Sequence, residues 1–296
     1  MSSGPRISIV TPSFNQAAFI GETLYSVRNQ ECPILEHIVM DGGSTDGTVD
    51  ILKRYSALAG WEYLRWISEP DSGQSDALNK GFHLATGDII GWLNSDDTYE
   101  PSCFKEVLRA FEENPSADFI YGDYVIVDGT GNELLSKKEI GFDWNIMLCG
   151  LNYIAQPNVF FRRRVFDSVG YLNESLHYVM DYEFWLRAAS RGLRFQHVPY
   201  ALAACRWHTD AKTFSQCPRI GEELRLVRKM YWNKKSFPNN SVQDIYERYW
   251  NVRARAVRQW RKIYTRRAFD FVPASWYLSA WKIRAKAPMN ASADGT

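Results

Sequence analysis

The stretch "ISIVTPSFNQAAFIGETLYSVRNQECPILEHIVMD", residues 7–41, contains two short apolar runs, "ISIVTP" (7–12) and "HIVMD" (37–41). Between them "AAFIGETLYSVRNQ" carries apolar residues at three- and four-residue spacing, the period of a helix with one buried face. The pattern predicts strand, helix, strand. It then continues. "TVDILKRYSALAG" and "QSDALNKGFHLATG" are further helical segments, each stopping at a Gly, and "YLRWIS" (63–68) and "DIIGWLN" (88–94) are further strands. Alternation of this kind implies an α/β fold with a mainly parallel sheet covered by helices. Ligands of such sheets bind beyond the carboxyl ends of the strands.

After residue 100 the order becomes mixed. A helix is expected over 101–113, with Pro101 at its first position. A hairpin follows in "DFIYGDYVIVDGTGNELL", turning at "DGTG", and then a helix in "DYEFWLRAASRG". From about residue 219 the chain reads as helical and basic, with Ile245, Tyr249, Val252, Ala256, Trp260 and Ile263 forming one apolar stripe between Arg-rich faces. The organisation expected is therefore a ligand-binding half over 1–98, a second half of the same domain over 99–218, and a basic helical extension over 219–296.

The composition is globular, with 45% apolar and 23% charged residues in 296, enough for a substantial core. The net charge of +1 conceals an asymmetry: residues 219–296 hold 17 Lys or Arg and 6 Asp or Glu, the rest of the chain 18 and 28. An acidic body thus carries a basic tail, a reason to expect a surface partner for the tail. Five cysteines with no C-x-x-C pair indicate neither a disulfide framework nor a structural zinc site. The start "MSSGPRISIV" lacks the charged and apolar regions of a signal peptide. The best apolar stretch, "FVPASWYLSAW", is about half of what a membrane span needs. A cytoplasmic protein is expected, soluble or held at the inner face of a membrane.

The chemistry concentrates at the predicted strand ends. "GWLNSDD" closes the fourth strand with Asp96 and Asp97. Two adjacent carboxylates at a ligand-binding edge suit a hard divalent cation, Mg²⁺ or Mn²⁺, completed by water and diphosphate oxygens. Taken alone, "SDD" reads equally as a turn leading into a helix. The second strand ends at Asp41, followed by Gly42 and Gly43, which let backbone approach a ligand, and by Ser44, Thr45 and Asp46, any of which can cap the next helix. Asp41 is either a turn residue or an acceptor for the N–H of a base. The loop is not G-x-G-x-x-G, so a dinucleotide site is poorly supported.

Together "ISIVTPSFNQAAFIGETLYSVRNQ", "HIVMDGGSTDGTVDIL", "SEPDSGQSDALNKGFHLATGDIIGWLNSDD" and "YVMDYEFWLRA" resemble the family 2 glycosyltransferases, inverting and here non-processive enzymes with the GT-A fold that use nucleotide-sugar donors. The resemblance runs from about residue 5 to about residue 210 and omits the tail. It implies that Asp41 reads the base, uracil or thymine, with Thr11 and Pro12 on the nucleotide wall. It implies a D-x-D-type element in which Asp97 binds the metal and Asp96 lies on the donor side. Asn94 stands where the family often has Asp, which leaves that position's contribution open. Lys80 is implied to sit beside the donor phosphates, and it reads also as an exposed helix lysine. Asp181 matches the general base and Glu183 is its reserve, while as a helix-start residue Asp181 could equally be an N-cap. Gln156, with Pro157, resembles part of the acceptor wall, and His208 resembles a downstream His that completes the metal or diphosphate site; each has a purely structural alternative.

The implied activity is transfer of one sugar from a UDP- or dTDP-linked donor to a hydroxyl of a glycan or lipid-linked oligosaccharide, as in polysaccharide biosynthesis. A polyprenyl-phosphate sugar synthase at the membrane surface is the alternative enzyme. A processive synthase would need a Q-x-x-R-W element, and "RQWRK" has the wrong order. A non-catalytic nucleotide-sugar sensor would be expected to lose carboxylates that are all present here, and nucleic-acid binding through the tail is the weaker remaining class. The tail itself has two readings, contact with an anionic membrane or a helical cover packed on the acidic body.

Overall fold

The computed structural model describes residues 4–32, 36–149, 152–208, 218–232 and 240–264. Strands β1 (Ile7–Ser13), β2 (Glu36–Asp41), β3 (Leu64–Ser68) and β4 (Ile89–Trp92) alternate with helices α1 (Ile20–Arg28), α2 (Thr48–Ser56) and α3 (Gln74–Leu84). They pair in parallel in the order β3-β2-β1-β4. Every residue of β1 and β2 is buried, as expected for central strands with helices on both faces. The helix α3 packs directly on this sheet. A Cβ on Gly81 would fall 2.4 Å from Val10 Cγ1, so only glycine allows that approach. The chain reverses its winding direction between β1 and β4, and the crevice beyond that switch point is where an open α/β sheet receives its ligand.

The second half departs from parallel order. A short strand β5 (Thr98–Tyr99) intervenes, so α4 (Cys103–Glu113) begins with Ser102 before it and Pro101 in the preceding turn, two residues outside the expected position. The hairpin forms between β6 (Phe119–Asp128) and β7 (Glu133–Lys137). After α5 (Trp144–Leu148), β8 (Val159–Arg162) runs antiparallel to both β4 and β6, and after α6 (Val165–Val169) and α7 (Met180–Ser190) the long β9 (Phe195–Trp207) runs parallel to β6. The sheet thus continues through β8, β6 and β9 to β5. Phe82, Phe119, Phe161, Phe166, Phe184 and Trp185 make a buried aromatic core that joins α3, the sheet and α7. No disulfide involves Cys32, Cys103, Cys149 or Cys205, and Cys217 lies outside the described residues.

The basic extension forms α8 (Pro218–Tyr231) and α9 (Asn240–Tyr264), and both pack on the body. Val227 of α8 is fully buried, and the Tyr231 hydroxyl donates to Glu183 Oε1 at 2.7 Å. Ala254 of α9 is buried and Trp250 and Val257 pack against the core. Arg258 pairs with the fully buried Glu139 at 2.5 Å, and Arg261 with Asp143 at 2.7 Å. The apolar stripe read from the sequence is not the face that packs: Ile245, Tyr249, Val252, Trp260 and Ile263 are 50–68% exposed, and Ala256 is exposed with them. The helix docks by its other face because Glu139 and Asp143 require the guanidinium groups there. The apolar run at 271–281 lies outside the described residues.

Candidate functional site

The site is assembled at the carboxyl ends of β1, β2 and β4. At the end of β2, Asp41 is buried, and Oδ2 accepts from the N–H groups of Gly43 (3.1 Å) and Ser44 (2.9 Å) and from Ser68 Oγ (2.7 Å). Among the described residues its Oδ1 accepts only from Ser44 Oγ at 2.5 Å, which leaves one lone-pair direction for a ligand. The loop is tight: a Cβ on Gly42 would meet Asp71 Oδ2 at 2.6 Å.

Next to it Thr11 is fully buried, and its hydroxyl pairs with His37 Nε2 at 2.9 Å. Burial pulls the His37 pKa down to about 3, so that imidazole is neutral. Thr11's hydroxyl is therefore engaged by a side chain of the neighbouring strand β2. Pro12 is also buried. Ser13, at the strand's last position, has a buried Oγ with no partner among the described residues. It is a better polar candidate at that edge, and the quoted "TPSF" already contained it.

Beyond β4, Asp97 is 6% exposed, and its Oδ1 accepts from the Arg206 N–H at 2.8 Å. Oδ2 has only a long contact, 3.4 Å, with Asn94 Nδ2. Burial, and then the charge of Asp96, push the Asp97 carboxyl well above the usual carboxylate range. Asp96 accepts from His208 Nε2 at 3.0 Å, so the residue that follows β9 reaches the pair. Asn94 Oδ1 accepts from Gln74 Nε2 (2.9 Å) and Trp92 Nε1 (3.0 Å). Both partners are donors, which fixes the amide orientation and turns its nitrogen toward Asp97. Asn94 thus closes the turn and links it to the start of α3.

The residue that organises this loop escaped the sequence reading. Arg206, 5% exposed, donates through Nε to Asp96 O at 2.9 Å and through Nη1 to Gly129 O at 3.2 Å, and it pairs with Glu22. Its guanidinium also lies 5.2 Å from the Phe19 ring centroid. It clamps backbone carbonyls of two segments and the side chain of a third, and its neighbour His208, in "CRWH", was the available signal.

Among the described residues no three His, Cys, Asp or Glu side chains converge as a preformed metal cage. The donor chemistry nonetheless fits a hard cation. Asp97 is a buried carboxylate without a cationic partner on Oδ2 among the described residues, beside a second carboxylate. Mg²⁺ and Mn²⁺ sites commonly take one or two carboxylates and fill the remainder with water and phosphate oxygens. Asp97, Asp96 and His208 are the residues that could hold such an ion.

Asp181 lies in the first turn of α7, half-buried, and accepts from Asn152 Nδ2 at 3.0 Å. Val179 is the N-cap, so the capping alternative for Asp181 does not hold. Burial raises its carboxyl above the ordinary value. Glu183 is committed elsewhere: it is buried, ion-paired with Arg187 at 2.9 Å and bonded to Tyr231. Lys80 pairs with Glu69 at 3.0 Å and Asp76 at 3.4 Å on the exposed side of α3, so its charge is balanced by carboxylates. Gln156 is brought in, donating to the Trp92 carbonyl at the end of β4 with its own Oε1 buried and without a partner among the described residues. The α7 approach meets α3 through Ser75 Oγ to Leu176 O (3.2 Å) and through Asn79 to Leu172.

A model of glycosyl transferase family 2 matches residues 8–170, more than half of the chain. The chain belongs to glycosyltransferase family 2. The match covers the strand ends that carry Asp41, Asp96 and Asp97. A "PGL/p-HBAD biosynthesis glycosyltransferase" of Mycobacterium bovis is 33% identical over 244 residues, covering 78% of this chain and 93% of that protein. The crystal structure of S. aureus TarS superposes with a TM-score of 0.59 at 19% identity over 75% of this chain, which spans 39% of that longer chain. The TarS 1–349 complex with UDP-GlcNAc gives 0.59 at 20% identity, covering 75% of this chain and 65% of that one. The architecture is therefore that of the GT-A glycosyltransferases, an α/β fold whose first half is parallel and whose second is mixed. No helix among the described residues is long and apolar enough to cross a membrane.

Proposed function

We propose that this glycosyltransferase moves one sugar from a UDP- or dTDP-linked donor to a hydroxyl of a glycan or lipid-linked acceptor, with inversion and without processive extension. The observation that carries the reading is the placement of Asp41 and the Asp96–Asp97 pair beyond the carboxyl ends of β2 and β4, the two strands that flank β1 in one parallel sheet. Asp41 Oδ1 keeps an acceptor site for a base N–H. Asp97, with Asp96 and His208, would hold Mn²⁺ or Mg²⁺, which supplies charge neutralisation for a departing nucleoside diphosphate. TarS, a fold neighbour, has been captured with UDP-GlcNAc, which supports a nucleotide-sugar for this fold.

Asp181 serves as the base. Its raised pKa strengthens it as a proton acceptor, and Asn152 orients one carboxylate oxygen. The acceptor hydroxyl gives its proton to Asp181 while its oxygen bonds to the anomeric carbon from the face opposite the diphosphate. The bond to the diphosphate breaks in the same displacement. One carboxylate suffices, so Glu183 is free for its structural role. Gln156, bonded to the Trp92 carbonyl at the end of β4, would serve the acceptor side.

The test is UDP and dTDP binding by calorimetry with and without Mn²⁺, followed by donor hydrolysis or transfer. Binding that strengthens with Mn²⁺ and is lost in Asp97→Ala supports the reading. Absence of binding by either nucleotide refutes it.

A further inference from the structure

The outer face of α9 is an exposed apolar surface. At about 100° per residue, Val252, Ile245, Ile263, Ala256, Tyr249, Trp260 and Val242 fall within an arc of about 80°. Seen along the helix, Arg248 and Arg255 flank that arc on one side and Arg253 on the other, all three exposed. The row from Val242 to Ile263 is about 30 Å long. Near its end Trp260 and the 77% exposed Tyr264 stack at 5.4 Å between ring centroids. On the opposite side Arg258 and Arg261 fasten the helix to Glu139 and Asp143. The two faces of one helix thus have separate tasks.

We propose that this face docks on an anionic lipid bilayer, with the apolar row in the headgroup boundary and the three arginines against lipid phosphates. An interfacial helix requires this arrangement: an aromatic and aliphatic face, cationic flanks and too little total hydrophobicity to span. Charge selects this occupant over the alternatives. Two copies meeting through the row would set arginine against arginine. Residues 265–296 hold 5 Lys or Arg and 2 Asp or Glu, so that segment is cationic too and adds attraction to an anionic surface rather than complementing α9. The acidic body is repelled by the same surface, which leaves the extension as the contacting side.

The test uses the full chain and co-sedimentation with phosphatidylcholine vesicles, with and without phosphatidylglycerol. The chain is expected to pellet with the phosphatidylglycerol vesicles and to be released progressively by salt. Arg248→Gln with Arg255→Gln should weaken that binding by roughly twentyfold, since each basic residue near such a surface contributes roughly fivefold. Val252→Gln, Trp260→Gln and Ile263→Gln together should weaken it about tenfold or more with an unchanged melting temperature and UDP affinity. Wild-type protein that stays in the supernatant overturns the proposal. So does a triple variant that binds like wild type, because contact then runs through residues 265–296, or a wild-type dimer that the triple variant converts to monomer. None of these readouts requires sugar transfer, so their failure is separate from failure of the catalytic reading.

Discussion

Glu223→Ala tests whether the helical extension belongs to the catalytic unit. The Glu223 carboxylate on α8 accepts from the N–H groups of His177 (2.9 Å), Tyr178 (2.8 Å) and Val179 (3.3 Å), the three residues that lead into α7 and Asp181. Alanine removes three charge-assisted bonds at once. His177 is exposed, so its N–H regains water, whereas Val179 is buried and Tyr178 half-buried. One or two donors therefore stay dry. At about 1–3 kcal/mol for each unsatisfied group, and with incomplete additivity, the loss is about 2–4 kcal/mol. For a domain of this size that lowers the melting temperature by roughly 5–15 °C. Asp181 lies two residues beyond the freed segment, so kcat should fall roughly ten- to hundredfold through misplacement of the base. The donor KM should hardly move, because Asp41 and Asp97 sit on other elements. Glu223→Gln keeps one carbonyl oxygen in place and should recover part of both losses. Thermal melts and initial-rate kinetics on the three proteins decide the matter. A Glu223→Ala protein with wild-type melting temperature and kcat would refute the argument that α8 holds the base helix.

Asp181→Asn should abolish transfer yet stabilise the fold at neutral pH. Burial raises the folded-state pKa of Asp181, so its ionised form opposes folding, and the native state loses stability as pH rises through that raised value. The variant's advantage in melting temperature should be present at pH 7 and vanish below the unfolded Asp value of about 3.9; an advantage independent of pH contradicts the assignment of cause. Arg206→Ala should cost about 3 kcal/mol, because a buried guanidinium and its bonds to the Asp96 and Gly129 carbonyls are lost while Glu22, 61% exposed at its side chain, stays solvated. It should also weaken Mn²⁺-dependent UDP binding by loosening the Asp96–Asp97 loop. A calorimetric titration equal to wild type would count against the clamp.

Local pattern was sufficient for the first half of the fold. Apolar runs and three-to-four spacing place β1 to β4 and α1 to α3 within a few residues, because parallel strands covered on both faces must be apolar throughout and their helices must carry one apolar stripe. It also put Asp41 and the Asp96–Asp97 pair at one edge, since strand ends in a parallel sheet share a side. Helix ends were less legible. Gly60 and Gly87 lie beyond α2 and α3, which stop at Ser56 and Leu84.

What the sequence determined by itself was therefore which chemistry exists and at which end of the sheet it gathers. Tertiary structure decided which of those groups are free to use it. Thr11 and Glu183 look available in sequence, yet partners distant along the chain, His37 and Tyr231, occupy them. Arg206 is marked locally only by its neighbour His208, because its partners Glu22, Asp96 and Gly129 come from three other segments. The same holds for α9. Helical periodicity shows that an apolar stripe exists but not which face docks, and here the buried carboxylate of Glu139, far away in sequence, recruits Arg258 and turns the stripe outward. A buried charge must be paired where it lies, and the pairing of Glu139 with Arg258 is accompanied by exposure of five apolar side chains on the other face.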